Sequence, residues 1–173
     1  LGIAMGSSQA AGYVDVRGGI TGWLNELAFA PIDMAPGAPR DEWSGDVGCG
    51  AQYFSQQAVG RLIGAAGIDA PADMALPEKL VVVQELMRAG DPRALRIYET
   101  IGVYLGMTLP WYAEFYELRH VLLLGRVLSG EGGTVIMDTA RTVLQQAFPE
   151  LAARLQLHTP DERAKRHGQA IAA

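Results

Sequence analysis

Residues Leu1 to Asp15 pass from a short apolar run through a patch of small residues into a second apolar run, the pattern of strand, turn and strand. An apolar strand satisfies its backbone only with partners on both sides, so this opening commits the fold to a sheet that recruits further strands from later in the chain. With no Met and nothing ahead of the strand, the sequence is expected to be part of a longer protein whose remainder holds part of the function.

At 173 residues the chain is long enough for one domain with a sizeable core, and 1–173 is read as a single unit. With 49% hydrophobic and 19% charged residues it has the composition of a packed globular domain. A net charge of -5 argues against nucleic-acid binding, because phosphate recognition needs a surplus of Lys and Arg on one face. The short cluster Arg163, Lys165 and Arg166 reads as a solvated helix face. One cysteine, Cys49, excludes an internal disulfide and a Cys-rich zinc site, and fits a reducing, cytoplasmic setting. No run approaches the ~20 apolar residues of a membrane span.

Three strands are expected at Leu1–Met5, Gly12–Val16 and Ile20–Leu24, forming an antiparallel meander, with a fourth candidate at Glu26–Asp33. Met34 to Gly50 is rich in Pro and Gly and reads as a long surface excursion. The period then turns helical. Helices are expected over Gln52–Ala66, from Pro77 to Gly90, and from Pro92 behind the cap Asp91. Gly102 and Gly106 give the third helix a flat face for close approach of another backbone, and Pro110 should kink or interrupt it before helical turns reach Glu117. His120–Leu124 reads as a strand buried on both faces, followed by a Gly-rich loop to Gly133 and a helix over Thr134–Ala147. A strand at Arg154–His158 and a helix from Pro160 close the chain, so the last third is a βαβ unit, right-handed by rule.

Two loops have the chemistry of an anion site. Gly125 to Gly133 joins a strand to a helix, where main-chain N–H groups and the helix dipole favour phosphate, although glycines also serve such turns for steric reasons alone. Met5 to Gly12, containing Gly6, Ser7 and Ser8, is either a plain hairpin turn or a place where phosphate can approach the backbone. Glu26 follows Trp23, Leu24 and Asn25, where a carboxylate is costly unless it accepts hydrogen bonds, for example from sugar hydroxyls; an exposed or salt-bridged Glu is the alternative. His120, His158 and His167 show no metal spacing.

In order and spacing these segments resemble the C-terminal half of the ROK family, the sugar kinases and sugar-responsive repressors of the actin-like ATPase (ribonuclease H-like) fold. Met5 to Gly12 is similar to the family's second phosphate loop, and Asn25 to Phe29 to its G-E-x-G-H sugar segment. Gly48, Cys49 and Gly50 resemble the start of its cysteine-rich loop, Val121 to Arg126 its I-V-L-G-G strand and adenosine turn, and Gly168 to Ala170 its closing G-A-A helix. The resemblance implies an α/β fold and nucleotide contacts at Gly6, Ser7, Ser8, Gly125 and Arg126. It also implies sugar contacts at Glu26 and at Gln56, where the family's later sugar-binding Glu falls.

The departures bear on function. The family's metal-binding His falls at Phe29 and only Cys49 remains of its cysteines, so no structural zinc is expected. Arg126 replaces the second Gly of the adenosine turn, where it can hold a phosphate or block the pocket. The family's first phosphate loop and catalytic Asp belong to a half preceding Leu1, so no catalytic residue is expected in this chain. The leading expectation is the C-terminal domain of a ROK-type carbohydrate kinase, inactive alone, using ATP with Mg and a sugar in the full-length protein, and homodimeric. The alternative is a sugar-sensing domain of a ROK-type repressor or a non-catalytic homologue. An interaction domain that dimerises through the Tyr104 to Tyr116 region is a third reading, beside core packing of the same residues.

Overall fold

The computed structural model describes residues 1–20 and 25–160. The chain is an α/β domain built on one mixed sheet. Strand β1 (Gly2–Met5) pairs antiparallel with β2 (Gln9–Gly12) and parallel with β3 (His120–Leu124), which pairs parallel with β4 (Gln156–His158). The order across the sheet is β2-β1-β3-β4. Thus β1 and β3 lie at the centre, joined across the intervening residues 6–119 by the register Ala4 to Leu124.

The hairpin is tighter than the sequence predicts. Met5 faces Gln9, leaving only Gly6, Ser7 and Ser8 in the loop, so β2 starts three residues earlier than expected. Val14 meets Ile20 in an isolated antiparallel bridge, and the rest of the predicted third strand lies outside the described residues. Glu26–Asp33 is not a strand. Phe29 donates its N–H to Glu26 and Ala30 to Leu27, closing turns, and Pro31, which has no N–H for a ladder, makes one bridge to Cys49.

Helix α1 (Gln56–Ala65) begins where the Ser55 hydroxyl accepts from the Gln57 N–H, four residues later than expected, after a 3-10 turn at Gly50–Gln52. Helices α2 (Leu76–Arg88) and α3 (Pro92–Ala113) follow the predicted caps; Asp91 accepts from the Arg93 N–H. Pro110 does not break α3. It stands one turn before the end, where its missing donor costs a single helical bond, and the helix stops at Ala113 rather than Glu117. The flat face carried by Gly102 and Gly106 meets α4 (Glu131–Ala147): a Cβ on Gly102 would lie 2.6 Å from the Thr139 Cβ, and one on Gly106 2.6 Å from the Val143 Cβ. The short α5 (Pro149–Ala152) turns the chain into β4, so β3, α4 and β4 form the expected βαβ unit. The terminal helix, the Arg163 to Arg166 cluster, His167 and Gly168 to Ala170 lie outside the described residues.

Ile3 and Met5 of β1 and Val121 and Leu123 of β3 share one core with Leu105, Leu109, Ile136 and Ala140 of the helices. On β3 burial alternates instead of covering both faces, with His120 and Leu122 exposed. No described helix is long and apolar enough to cross a membrane.

Candidate functional site

Parallel pairing of β1 and β3 brings their C-terminal ends, and the loops that leave them, to one edge of the sheet. Gly125 fixes the approach. Its φ of +108° favours glycine, and a Cβ there would lie 2.5 Å from the Met5 carbonyl oxygen and 2.7 Å from the Met5 nitrogen. The turn at Gly125 therefore rests on the backbone from which Gly6, Ser7 and Ser8 depart. Within that hairpin loop the Gly6 N–H donates to the Ser8 carbonyl at 3.0 Å, and both serines are exposed.

Gln56 joins the loop from the other side: its N–H donates to the Gly6 carbonyl at 2.9 Å, and its buried side-chain Oε1 has no hydrogen-bond partner among the described residues. The structure thus gathers Gly6, Ser7, Ser8, Gly125 and Gln56, residues spread over 120 positions. Arg126, beside Gly125, is exposed, and its carbonyl accepts from Gln84 Nε2 at 3.1 Å.

Below the turn a cleft of about 450 Å³ opens between β3, α4 and the end of β4, lined by Leu124, Gly125, Thr134, Met137, Arg141 and Thr159. The last four were missed in the sequence. Thr134, Met137 and Arg141 recur at helical spacing from the Gly-rich loop, and that stripe was the available signal. A second cleft of about 320 Å³ lies on the other flank of the loop, between Gln84, Met87 and Arg88 of α2 and Ser129 to Gly132. Part of the loop's glycine content is steric: a Cβ on Gly132 would meet the Tyr98 ring at 2.4 Å, and one on Gly133 the Leu128 carbonyl at 2.1 Å. This packing lets α4 start at Glu131, three residues before the expected Thr134.

The long surface excursion is held by two carboxylates. Asp41 accepts from the Ser44 N–H at 2.9 Å, the Trp43 N–H at 3.2 Å and Gln52 Nε2 at 3.0 Å, and these bonds, the Ser44 N–H foremost, hold its carboxyl below the usual range. Tyr53 donates to Asp33, which lowers the Asp33 carboxyl; burial and the same contact push the Tyr53 phenol upward. Arg61 lies 4.9 Å over the Tyr53 ring and donates to the Gln52 carbonyl, tying the start of α1 to this network. Cys49 is buried, which raises its thiol. Among the described residues no three His, Cys, Asp or Glu side chains converge on a metal position. Glu26 is exposed, which removes the argument that its carboxylate must be compensated, and leaves the exposed alternative.

No family model matches this sequence, and no curated protein matches it. Solved structures do. A ROK hexokinase from Thermus thermophilus superposes with a TM-score of 0.66 at 20% identity, over 99% of this chain and 55% of its own. This chain has the fold of ROK proteins. A ROK family glucokinase from Streptomyces griseus, solved with glucose and AMPPNP, matches with a TM-score of 0.65 at 18% identity over 91% of this chain and 54% of its own. A ROK family transcriptional regulator, a homologue of the E. coli Mlc protein, matches with a TM-score of 0.62 at 18% identity, over 91% of this chain and 40% of its own. The chain thus spans about half the length of these ROK structures, and at such identities the likeness is one of fold. Kinases and a regulator share it.

Proposed function

We propose that this chain is the part of a ROK-type carbohydrate kinase that supplies one wall of a nucleotide site and one wall of a sugar site. The observation that carries the proposal is the contact of Gly125 with the Met5 backbone. It places the hairpin loop, the loop after β3 and the cleft beneath them at one sheet edge, as phosphate-binding folds require. The residues there fit a phosphate chain. Ser7 and Ser8 bring two exposed hydroxyls, the loop after Gly125 leads into the N-terminus of α4, and Arg126 brings a guanidinium.

ATP with Mg would supply the transferable phosphoryl group and the charge that neutralises it. In this reading Gly6, Ser7 and Ser8 receive phosphate oxygens and Arg126 holds a phosphate at the turn. Gln56, anchored to Gly6 through its own N–H, offers its partnerless Oε1 to a sugar hydroxyl, and the exposed Glu26 carboxylate accepts from another. The general base that activates the sugar hydroxyl lies outside this chain, so the chain by itself is inactive. The protein works in the cytoplasm.

A second reading, a sugar-sensing module of a regulator or of a non-catalytic homologue, is favoured by Arg126 in place of glycine and by the comparable match to the regulator. Titration calorimetry with AMPPNP and with glucose separates the two. Nucleotide binding supports the kinase reading; sugar binding without nucleotide binding supports the sensor. Sugar phosphorylation by this chain alone would overturn the assignment of the base to another part of the protein.

A further inference from the structure

Strands β3 and β4 carry two histidines onto the same exposed face of the sheet. His120 opens β3 and His158 ends β4, and burial alternates along both strands, so Val121, Leu123 and Leu157 enter the core while the histidines stay outside it. Parallel pairing sets Leu122 beside His158 and His120 beside Gln156, which makes the two histidines diagonal neighbours across one ladder. Their rings meet. Nδ1 of His120 lies 3.1 Å from Nε2 of His158, with the ring centroids 5.2 Å apart and the planes inclined at 43°. The residues stand 38 positions apart in the chain, so no linear spacing announces the pair.

One ring nitrogen donates to the other in this contact, yet the fold does not need the bond, because both residues are exposed and water can satisfy either ring. What the sheet fixes is the separation of two imidazole nitrogens. Metal–imidazole bonds run about 2.0–2.1 Å, so a cation held by both nitrogens at this separation would see them at an angle of roughly 100°, between the octahedral and tetrahedral values. A modest rotation of each exposed ring turns its lone pair from the other ring toward a shared cation. The cationic side chains flanking the pair are neutralised: Arg119, next to His120, pairs with Glu117 at 2.8 Å, and Arg141, which donates to the Leu157 carbonyl beside His158, pairs with Asp138 at 2.8 Å. No third His, Cys, Asp or Glu among the described residues joins the two rings. Nitrogen donors without a carboxylate select against Mg²⁺ and Ca²⁺, which take oxygen ligands, and favour Zn²⁺, Ni²⁺ and Cu²⁺.

From this geometry we propose that His120 and His158 form a surface site for a late first-row divalent cation such as Zn²⁺, held by Nδ1 of the first and Nε2 of the second, with its remaining positions open to water or an anionic ligand. The site lies at the start of β3, whereas the phosphate loops leave the other end of that strand, so the proposal stands apart from the nucleotide and sugar reading. It is separate, too, from the segment around Cys49 in which the cysteines of the ROK family fall.

Titration calorimetry of the chain with ZnCl₂ at pH 7.5, with MgCl₂ as the control, tests it. The wild-type chain is expected to bind Zn²⁺ at concentrations up to about 100 µM and to ignore Mg²⁺ at the same level. His120→Ala and His158→Ala each leave a single imidazole, and each is expected to weaken zinc binding about tenfold or more. Both positions are exposed, so circular dichroism should show each variant folded like the wild type. With Cu²⁺ as a second probe, electron paramagnetic resonance should show coupling to two imidazole nitrogens in the wild type and to one in either variant. A wild-type chain that binds no zinc overturns the proposal. So does zinc binding that either variant retains in full, which would assign the metal to other side chains. Copper coupled to the same number of imidazole nitrogens in the wild type and in both variants overturns the pairing of the two histidines.

Discussion

The Gly125 Cα faces the main chain of Met5 so closely that any side chain at 125 would meet the Met5 carbonyl oxygen at 2.5 Å. Two loops 120 residues apart are thereby locked at one sheet edge. Gly125→Ala combines this overlap with the positive φ, and is expected to cost about 2–4 kcal/mol in urea unfolding. Gly130→Ala shares the positive φ but meets nothing among the described residues within 4 Å, and is expected to cost less, about 1–2 kcal/mol. Equal losses at the two positions would show that the contact with Met5 contributes nothing.

Asp41 makes stability depend on acid. Its carboxyl is held below its ordinary value in the fold, so the stabilisation is complete above the unfolded value near 3.8 and is lost as pH falls through the lower folded value. Asp41→Asn removes the charge that the Ser44 and Trp43 N–H groups and Gln52 address, and is expected to cost about 1–2 kcal/mol at neutral pH. The difference between wild type and variant should shrink below pH 4. A difference that stays constant down to pH 2 would mean that the bonds do not depend on ionisation.

The parts of this fold that were legible in the sequence are those whose signal is local. Asp91 and Pro92 announce the start of α3, and the apolar run His120 to Leu124 announces β3. Gly102 and Gly106 announce a close neighbour, and α4 is that neighbour. Glu26–Asp33 was misread because its apolar composition says nothing of the turn bonds to Glu26 and Leu27 that compete with a ladder. Burial of β3 was overstated because a continuous apolar strand looks the same whether one face is covered or two. At the site the two loops were visible as separate glycine and serine patches. Their meeting was not, because it depends on the pairing of Ala4 with Leu124, and the cleft adds Thr159 from the far side of β4.

Tyr98 is buried completely, and its hydroxyl has no hydrogen-bond partner among the described residues. Burial pushes its phenol up to about 12, so it remains neutral through the physiological range. A buried donor without an acceptor costs free energy, and Tyr98→Phe removes the donor while keeping the ring that packs on Gly132. The variant is expected to be as stable as the wild type or more stable by up to about 1 kcal/mol in thermal unfolding. A loss of more than that would reveal a partner for the hydroxyl, such as a bound water.

Arg126 separates two uses of the turn after β3. Its side chain is exposed, and the hydrogen bonds it receives, from Gln84 Nε2 and the Ser129 N–H, end on its main-chain carbonyl, so Arg126→Ala should change stability by less than about 0.5 kcal/mol. Any effect on ligands then reports the guanidinium alone. If it holds a phosphate, the substitution removes a charge-assisted contact and AMPPNP affinity should fall about tenfold, with a weaker dependence on salt than in the wild type. If the side chain instead fills the place that glycine leaves open in ROK turns, the same substitution should raise the affinity. The expected outcome is the loss, because Arg126 follows directly on Gly125, whose close approach to the Met5 backbone marks the sheet edge where the proposed phosphate chain would bring its negative charge.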